Sequence, residues 1–152
     1  MNLTYDEVLE LVPQQSPFRF IDKIHYIDEK SITASYTFKE NEDFYKGHFP
    51  GKPITPGVIL IEACGQMSGV AHGIWSYAKN CNLKNEINEY ITYITSVETA
   101  EFLKPVFPCD TVVVESEVII NKRRRFKHSC VMKNSNGEVV MTCVISGFGV
   151  KK

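Results

Sequence analysis

At 152 residues, 43% of them hydrophobic and 23% charged, the chain is long enough to bury a core without metal or disulfide staples and too apolar to remain disordered. Its formal net charge of −1 does not predict a surface built to hold nucleic acid or another polyanion. One domain over residues 1–152 is expected.

The opening, "MNLTYDEVLELVPQQ", has neither the basic end nor the long apolar centre of a signal peptide, so a cytoplasmic location is expected. Thr4 and Glu7 have capping-box spacing, which predicts a short amphipathic helix over 4–11, closed by Pro13. Next, "FRFIDKIHYI" (18–27) and "SITASYTF" (31–38) alternate apolar and polar residues around "DEK", the pattern of two strands and a tight turn. A polar loop from Lys39 to Pro53 follows. Thr55 as N-cap and Pro56 at the first helical position then open a long helix running to about Lys79.

Nearly every face of that helix is apolar, so other elements must wrap around it. Glu62, Gln66 and several glycines interrupt residues 56–75, the only stretch of membrane-spanning length, which argues for burial in protein and against a membrane segment. From Tyr90 onward the chain reads as strands over 90–103, 110–120, 125–133 and 138–150, punctuated by Pro105, Pro108 and "NSNG". This order of elements predicts an α+β fold in which one helix lies in the concave face of a curved antiparallel sheet. Cys64, Cys81, Cys109, Cys130 and Cys143 are odd in number and lack C-x-x-C spacing, so reduced thiols are expected.

Two residues break the pattern of the central stretch. Glu62 sits on a helix that is apolar all round, where lost hydration raises a carboxyl pKa and fits the group to act as an acid. His48 lies in a loop stiffened by Gly47, Pro50 and Gly51, where a neutral imidazole aimed into a cleft can act as a base. Each also has a plainer reading, a surface histidine and a satisfied structural acid. The helix start, "TPGV", adds free backbone N–H groups at the positive end of the helix dipole, suited to a developing oxyanion. Gly65, Gly69 and Gly73 recur every four residues on the side of Glu62 and Gln66, which means either close packing or room for a slender ligand.

The stretch "GHFPGKPITPGVILIEACGQ" resembles the signature of the FabZ-type 3-hydroxyacyl-[acyl-carrier-protein] dehydratases. "VPQQSPFRFIDKI", "NEDFYKGHFPG" and "AEFLKPVFPCD" are similar to further segments of that family's pattern, so the resemblance spans nearly the whole chain. It implies a hotdog fold, an antiparallel sheet wrapped round a central helix, and a homodimer with its active sites at the interface, alone or in a trimer of dimers. It also implies that His48 is the catalytic histidine, that Glu62 is the catalytic acid and that the Gly57 N–H holds the thioester carbonyl, with His and Glu of one site coming from different subunits. Such a dehydratase of fatty acid biosynthesis removes water from a 3-hydroxyacyl thioester to give a trans-2-enoyl thioester and needs neither cofactor nor metal. Gln66, one turn beyond Glu62, either orients that carboxyl or serves as a structural amide.

Gln14, Gln15, Ser16 and Cys109 depart from the family pattern. None is a chemical group of this reaction, and they bear on substrate range: a specialised aryl-polyene or polyketide-like lipid pathway is the alternative to fatty acid biosynthesis. A hotdog acyl thioesterase would share the fold and the thioester substrates, and a non-catalytic acyl-binding subunit would keep the fold without the chemistry. The one dense basic run, "NKRRRFK" (121–127), reads either as a solvated hairpin end or as a docking site for an acidic acyl carrier protein through Arg123, Arg124, Arg125 and Lys127. No nucleic-acid or membrane partner is expected.

Overall fold

The computed structural model describes residues 2–80 and 89–152; Cys81 lies outside the described residues. Helix α1, Tyr5–Glu10, is closed at its start by the predicted capping box. The Thr4 hydroxyl accepts from the Glu7 N–H at 3.3 Å and the Glu7 carboxylate accepts from the Thr4 N–H at 2.9 Å, which gives two otherwise orphaned donors a partner.

Six strands form one antiparallel sheet in the order β1-β2-β4-β5-β6-β3. They are β1 (Lys23–Ile27), β2 (Ser31–Thr37), β3 (Tyr90–Phe102), β4 (Thr111–Lys122), β5 (Arg125–Asn134) and β6 (Val139–Lys151). The last four match the strands read from composition and turn punctuation to within two residues at each end. Strand β1 begins at Lys23 and not at Phe18, because the Phe20 N–H donates at 2.7 Å to the side-chain oxygen of Gln66 instead of to a neighbouring strand. Register shifts within the β1/β2, β3/β6, β4/β5 and β5/β6 pairs break the flat ladder and let the sheet bend.

The helical tract lies against this bent sheet. It comprises α2 (Gly57–Gly65), a π-helical turn (Gln66–Val70) and α3 (Ala71–Lys79). In the π turn the Ala71 N–H donates to the carbonyl of Gln66, five residues back. Leu60, Ala63, Cys64, Met67, Val70 and Ala71 are buried along the tract, against a sheet side carrying Val114, Met132, Met141 and Ile145. This is the α+β arrangement expected from the order of elements, and the hotdog that the resemblance implies. Among the described residues no helix is long and apolar enough to cross a membrane.

The start of the tract differs from expectation by one residue. Pro56 is the N-cap, with ψ 138°, and the helix begins at Gly57. Thr55 does not cap it, since its hydroxyl is hydrogen-bonded to that of Tyr45 at 2.7 Å in the core. The glycine spacing turns out to have two causes. A Cβ on Gly65 would stand 2.8 Å from Ile94 and one on Gly69 would stand 2.3 Å from the Phe126 ring, so both glycines serve close helix–sheet packing. Gly73 would meet nothing within 4 Å and borders open space.

Candidate active site

His48 is placed by a loop that follows a 3₁₀ turn, Asp43–Lys46. The loop folds back on itself: the Ile54 N–H donates to the His48 carbonyl at 3.0 Å, and Phe49 and Lys52 exchange backbone bonds at 3.3 and 2.9 Å. The half-buried His48 ring stacks on Phe49, centroid to centroid 4.2 Å, and its Nδ1 lies 2.8 Å from the Ile54 carbonyl. A carbonyl only accepts, so Nδ1 carries a hydrogen, and in the neutral tautomer this leaves Nε2 as the acceptor.

Just beyond this loop, the Gly57 N–H is the first of the helix and has no carbonyl four residues back within it. A Cβ on Gly57 would stand 2.8 Å from the Phe102 ring, so only glycine lets that half-exposed ring lie across the helix start. Val58 beside it is 72% exposed. The first turn of the helix is therefore covered by Phe102 on one side and faces solvent at Val58.

Glu62 is partly buried one turn further along, and burial pushes its carboxyl pKa up while a hydrogen bond from Gln66 opposes that rise. Gln66 is fully buried. Its amide nitrogen donates to Glu62 at 2.8 Å and to the Phe18 carbonyl at 3.1 Å, and its oxygen accepts from the Phe20 N–H at 2.7 Å. One buried amide thus bonds both the Glu62 carboxyl and the backbone at Phe18 and Phe20, so the two readings of Gln66 are compatible.

Glu62 lines a cleft of about 320 Å³ together with Gln14, Phe18, Ile94 and Phe126. His48 and Gly57 do not line it, so this cleft holds the proposed acid without the proposed base. Gln14, which the sequence marks only as a departure outside the chemistry, stands in this wall with its side-chain oxygen buried and unpartnered. No local signal foretells that placement, because it depends on the chain reaching the helix from 48 residues away.

The basic run forms the β4–β5 turn. Arg123 and Arg124 have φ of 51° and 66°, two left-handed residues in succession where such a hairpin favours Asn-Gly. The Arg124 guanidinium donates to the Tyr90 hydroxyl at 2.8 Å and lies 4.2 Å from that ring's centroid, and Lys127 pairs with Glu98 at 2.6 Å. Arg123 and Arg125 are exposed. All three arginines line a second cleft, of about 400 Å³, which shares Pro13, Val70, Thr92 and Phe126 with the cleft beside Glu62. Neither His48 nor Glu62 belongs to a group of three potential metal ligands; among the described residues the only such group is Cys64, Cys130 and Cys143.

Residues 12–144 match the family model of the FabA-like domain. The 3-hydroxyacyl-[acyl-carrier-protein] dehydratase FabZ of Yersinia enterocolitica is 34% identical over 144 residues, covering 94% of this chain and 81% of that protein. FabZ of Yersinia pestis is 34% identical over 144 residues, with 77% of that protein covered. Among solved structures, the dehydratase heterocomplex ApeI:P from Xenorhabdus doucetiae superposes with a TM-score of 0.72 at 11% identity, over 99% of this chain and 94% of that one. Thioesterase HI1161 from Haemophilus influenzae superposes with a TM-score of 0.65 at 12% identity, over 99% and 93%. At these identities the two structures establish the shared fold alone.

Proposed function

This chain belongs to the FabA-like family, among its FabZ-type dehydratases, and from that membership and the site geometry we propose that it removes water from 3-hydroxyacyl-[acyl-carrier-protein] thioesters to give trans-2-enoyl thioesters. The observation that carries the reading is a matched pair of polarities. His48 has Nδ1 fixed as a donor and Nε2 left as the base, while Glu62 sits where burial favours the protonated form.

In this reaction His48 Nε2 takes the proton from the carbon next to the thioester carbonyl. The Gly57 N–H, at the positive end of the helix, stabilises the enolate-like oxygen that results. The protonated Glu62 gives its proton to the departing 3-hydroxyl, which leaves as water. Gln66 holds Glu62 without touching substrate, and proton transfers alone complete the step, so no redox or organic cofactor is called for.

We place the reaction in fatty acid biosynthesis, in the cytoplasm, in one domain that works as a homodimer. The cleft beside Glu62 lacks His48, and a second copy supplying it fits the exposed edge strand β3, whose Tyr93 and Val97 are 52% and 40% exposed. Acyl carrier protein would dock on the arginine turn chiefly through Arg123 and Arg125, since Arg124 is engaged by Tyr90 and Lys127 by Glu98. Reversing both charges, Arg123→Glu with Arg125→Glu, should raise KM for carrier-bound substrate in a salt-sensitive way and leave a small enoyl thioester unaffected. Equal rates on carrier-bound substrate with and without the reversal would move docking elsewhere.

The deciding assay is hydration of a short enoyl thioester, followed at the enoyl absorbance, with free thiol measured in parallel. Wild type should hydrate it without releasing thiol, and His48→Ala and Glu62→Gln should each lose about 10²–10⁴-fold in kcat while staying folded. Thiol release by the wild type, or full activity in either variant, would overturn the assignment.

A further inference from the structure

Away from His48 and Glu62, three cysteines from three separate elements converge in the core. Cys64 projects from α2, and Cys130 on β5 is the register partner of Cys143 on β6. Their sulfurs all lie within 4.8 Å of one another, and the residues are only 1%, 1% and 2% exposed. The register makes this a layered site, with two thiols side by side on the sheet and the third facing them from the helix.

A metal held by three sulfurs at about 2.3 Å in a trigonal plane needs sulfurs about 4 Å apart. That spacing is within a small side-chain adjustment of the one present. The coordination number then selects the metal. Structural zinc takes four ligands, and no fourth Cys, His, Asp or Glu ligand atom joins this group among the described residues. Soft thiolate sites that stay dry and low-coordinate suit Cu(I).

Polar neighbours support the cluster from two sides. The Ser68 hydroxyl donates to the Cys64 carbonyl at 2.6 Å, and the Cys130 thiol lies 3.6 Å from the Ser116 hydroxyl, which is itself 2.8 Å from His128 Nδ1. Ser68, Ser116 and His128 are all buried. The Cys64 backbone and the Cys130 thiol are therefore each held by a buried hydroxyl.

We propose that Cys64, Cys130 and Cys143 form a buried site for one soft monovalent metal ion, Cu(I), separate from the dehydratase site. On binding, the ligating thiols give their protons to solvent and hold the ion as thiolates, and copper stays in the +1 state, so nothing is oxidised or reduced.

The test uses the full chain carrying Cys81→Ser and Cys109→Ser, so that only the cluster thiols remain. It is kept anaerobic and reduced, and Cu(I) is supplied from a competing chelator. Copper per chain and the thermal midpoint are read, and the same midpoint is read with Zn(II). The expected result is one Cu(I) retained per chain with the midpoint raised by several degrees, no rise with Zn(II), and loss of both copper effects in Cys64→Ala and in Cys143→Ala. Each alanine variant is checked for folding by near-UV circular dichroism, and either one alone suffices if the other fails to fold. No copper retained, retention unchanged in a folded alanine variant, a midpoint lowered by copper, or an equal rise with Zn(II) would each overturn the proposal.

Discussion

Gln66 makes three hydrogen bonds from one fully buried amide, to Glu62 and to the backbone at Phe18 and Phe20. Replacing it by leucine removes them all together and strands the Phe20 N–H, at a cost of about 1–3 kcal/mol. The bond from Gln66 is the influence that lowers the Glu62 pKa, so its loss leaves burial unopposed and the carboxyl stays protonated to higher pH. Because the proposed acid works in its protonated form, the fall in activity on the alkaline side should move to higher pH in Gln66→Leu. We expect kcat to drop about 10-fold as the carboxyl loses its orientation. A pH–rate profile checks both effects; a lower rate with an unmoved profile would leave Gln66 a stability role only. The sequence singles out this residue through its spacing from Glu62. Its bonds to Phe18 and Phe20 are illegible there because they cross 46 to 48 positions and have no local signature.

Between α2 and the sheet, glycines set how closely the elements approach. Gly69→Ala would drive a methyl group into the Phe126 ring, which is also wedged against Gly147, and should destabilise the fold by about 1–3 kcal/mol. Gly73→Ala meets nothing and gains helix propensity, so it should stabilise by about 0.5–1 kcal/mol. Urea denaturation of the two variants reads the contrast, and equal effects would mean that Phe126 yields easily. The four long strands are legible because each is a long run rich in β-branched and aromatic residues set off by Pro105, Pro108 and "NSNG", and α1 because Thr4 and Glu7 are self-contained. Three features are not. Phe18–Asp22 alternates like a strand although a side chain takes its backbone bond. Thr55 has the chemistry of a cap but is drawn into a bond with Tyr45. The cysteine cluster has no spacing rule at all, since only the sheet register brings Cys130 opposite Cys143.

For the molecule as a whole, two buried histidines set an acid limit. Burial lowers the pKa of His72, and it lowers that of His128 to about 4. Between an unfolded value near 6.5 and the folded value, the unfolded chain binds a proton that the folded chain refuses, so stability is complete above about pH 6.5 and declines on acidification towards pH 4. For His128 the loss is on the order of 3 kcal/mol. Urea titrations at pH 7.5 and 4.5 measure it, and His128→Leu should flatten the dependence; an equally steep dependence in that variant would place the acid sensitivity elsewhere. The same scale gives the π turn its meaning. One extra residue between Gln66 and Val70 acts as a phase shifter, so the side of α2 that faces the Glu62 cleft is not continued as the same side of α3. Glu62 and Gly73 therefore address different clefts at different azimuths on one axis. The half of the helix that carries the acid and the half beneath the arginines can vary under separate constraints, much as two short helices would, without a loop to join them.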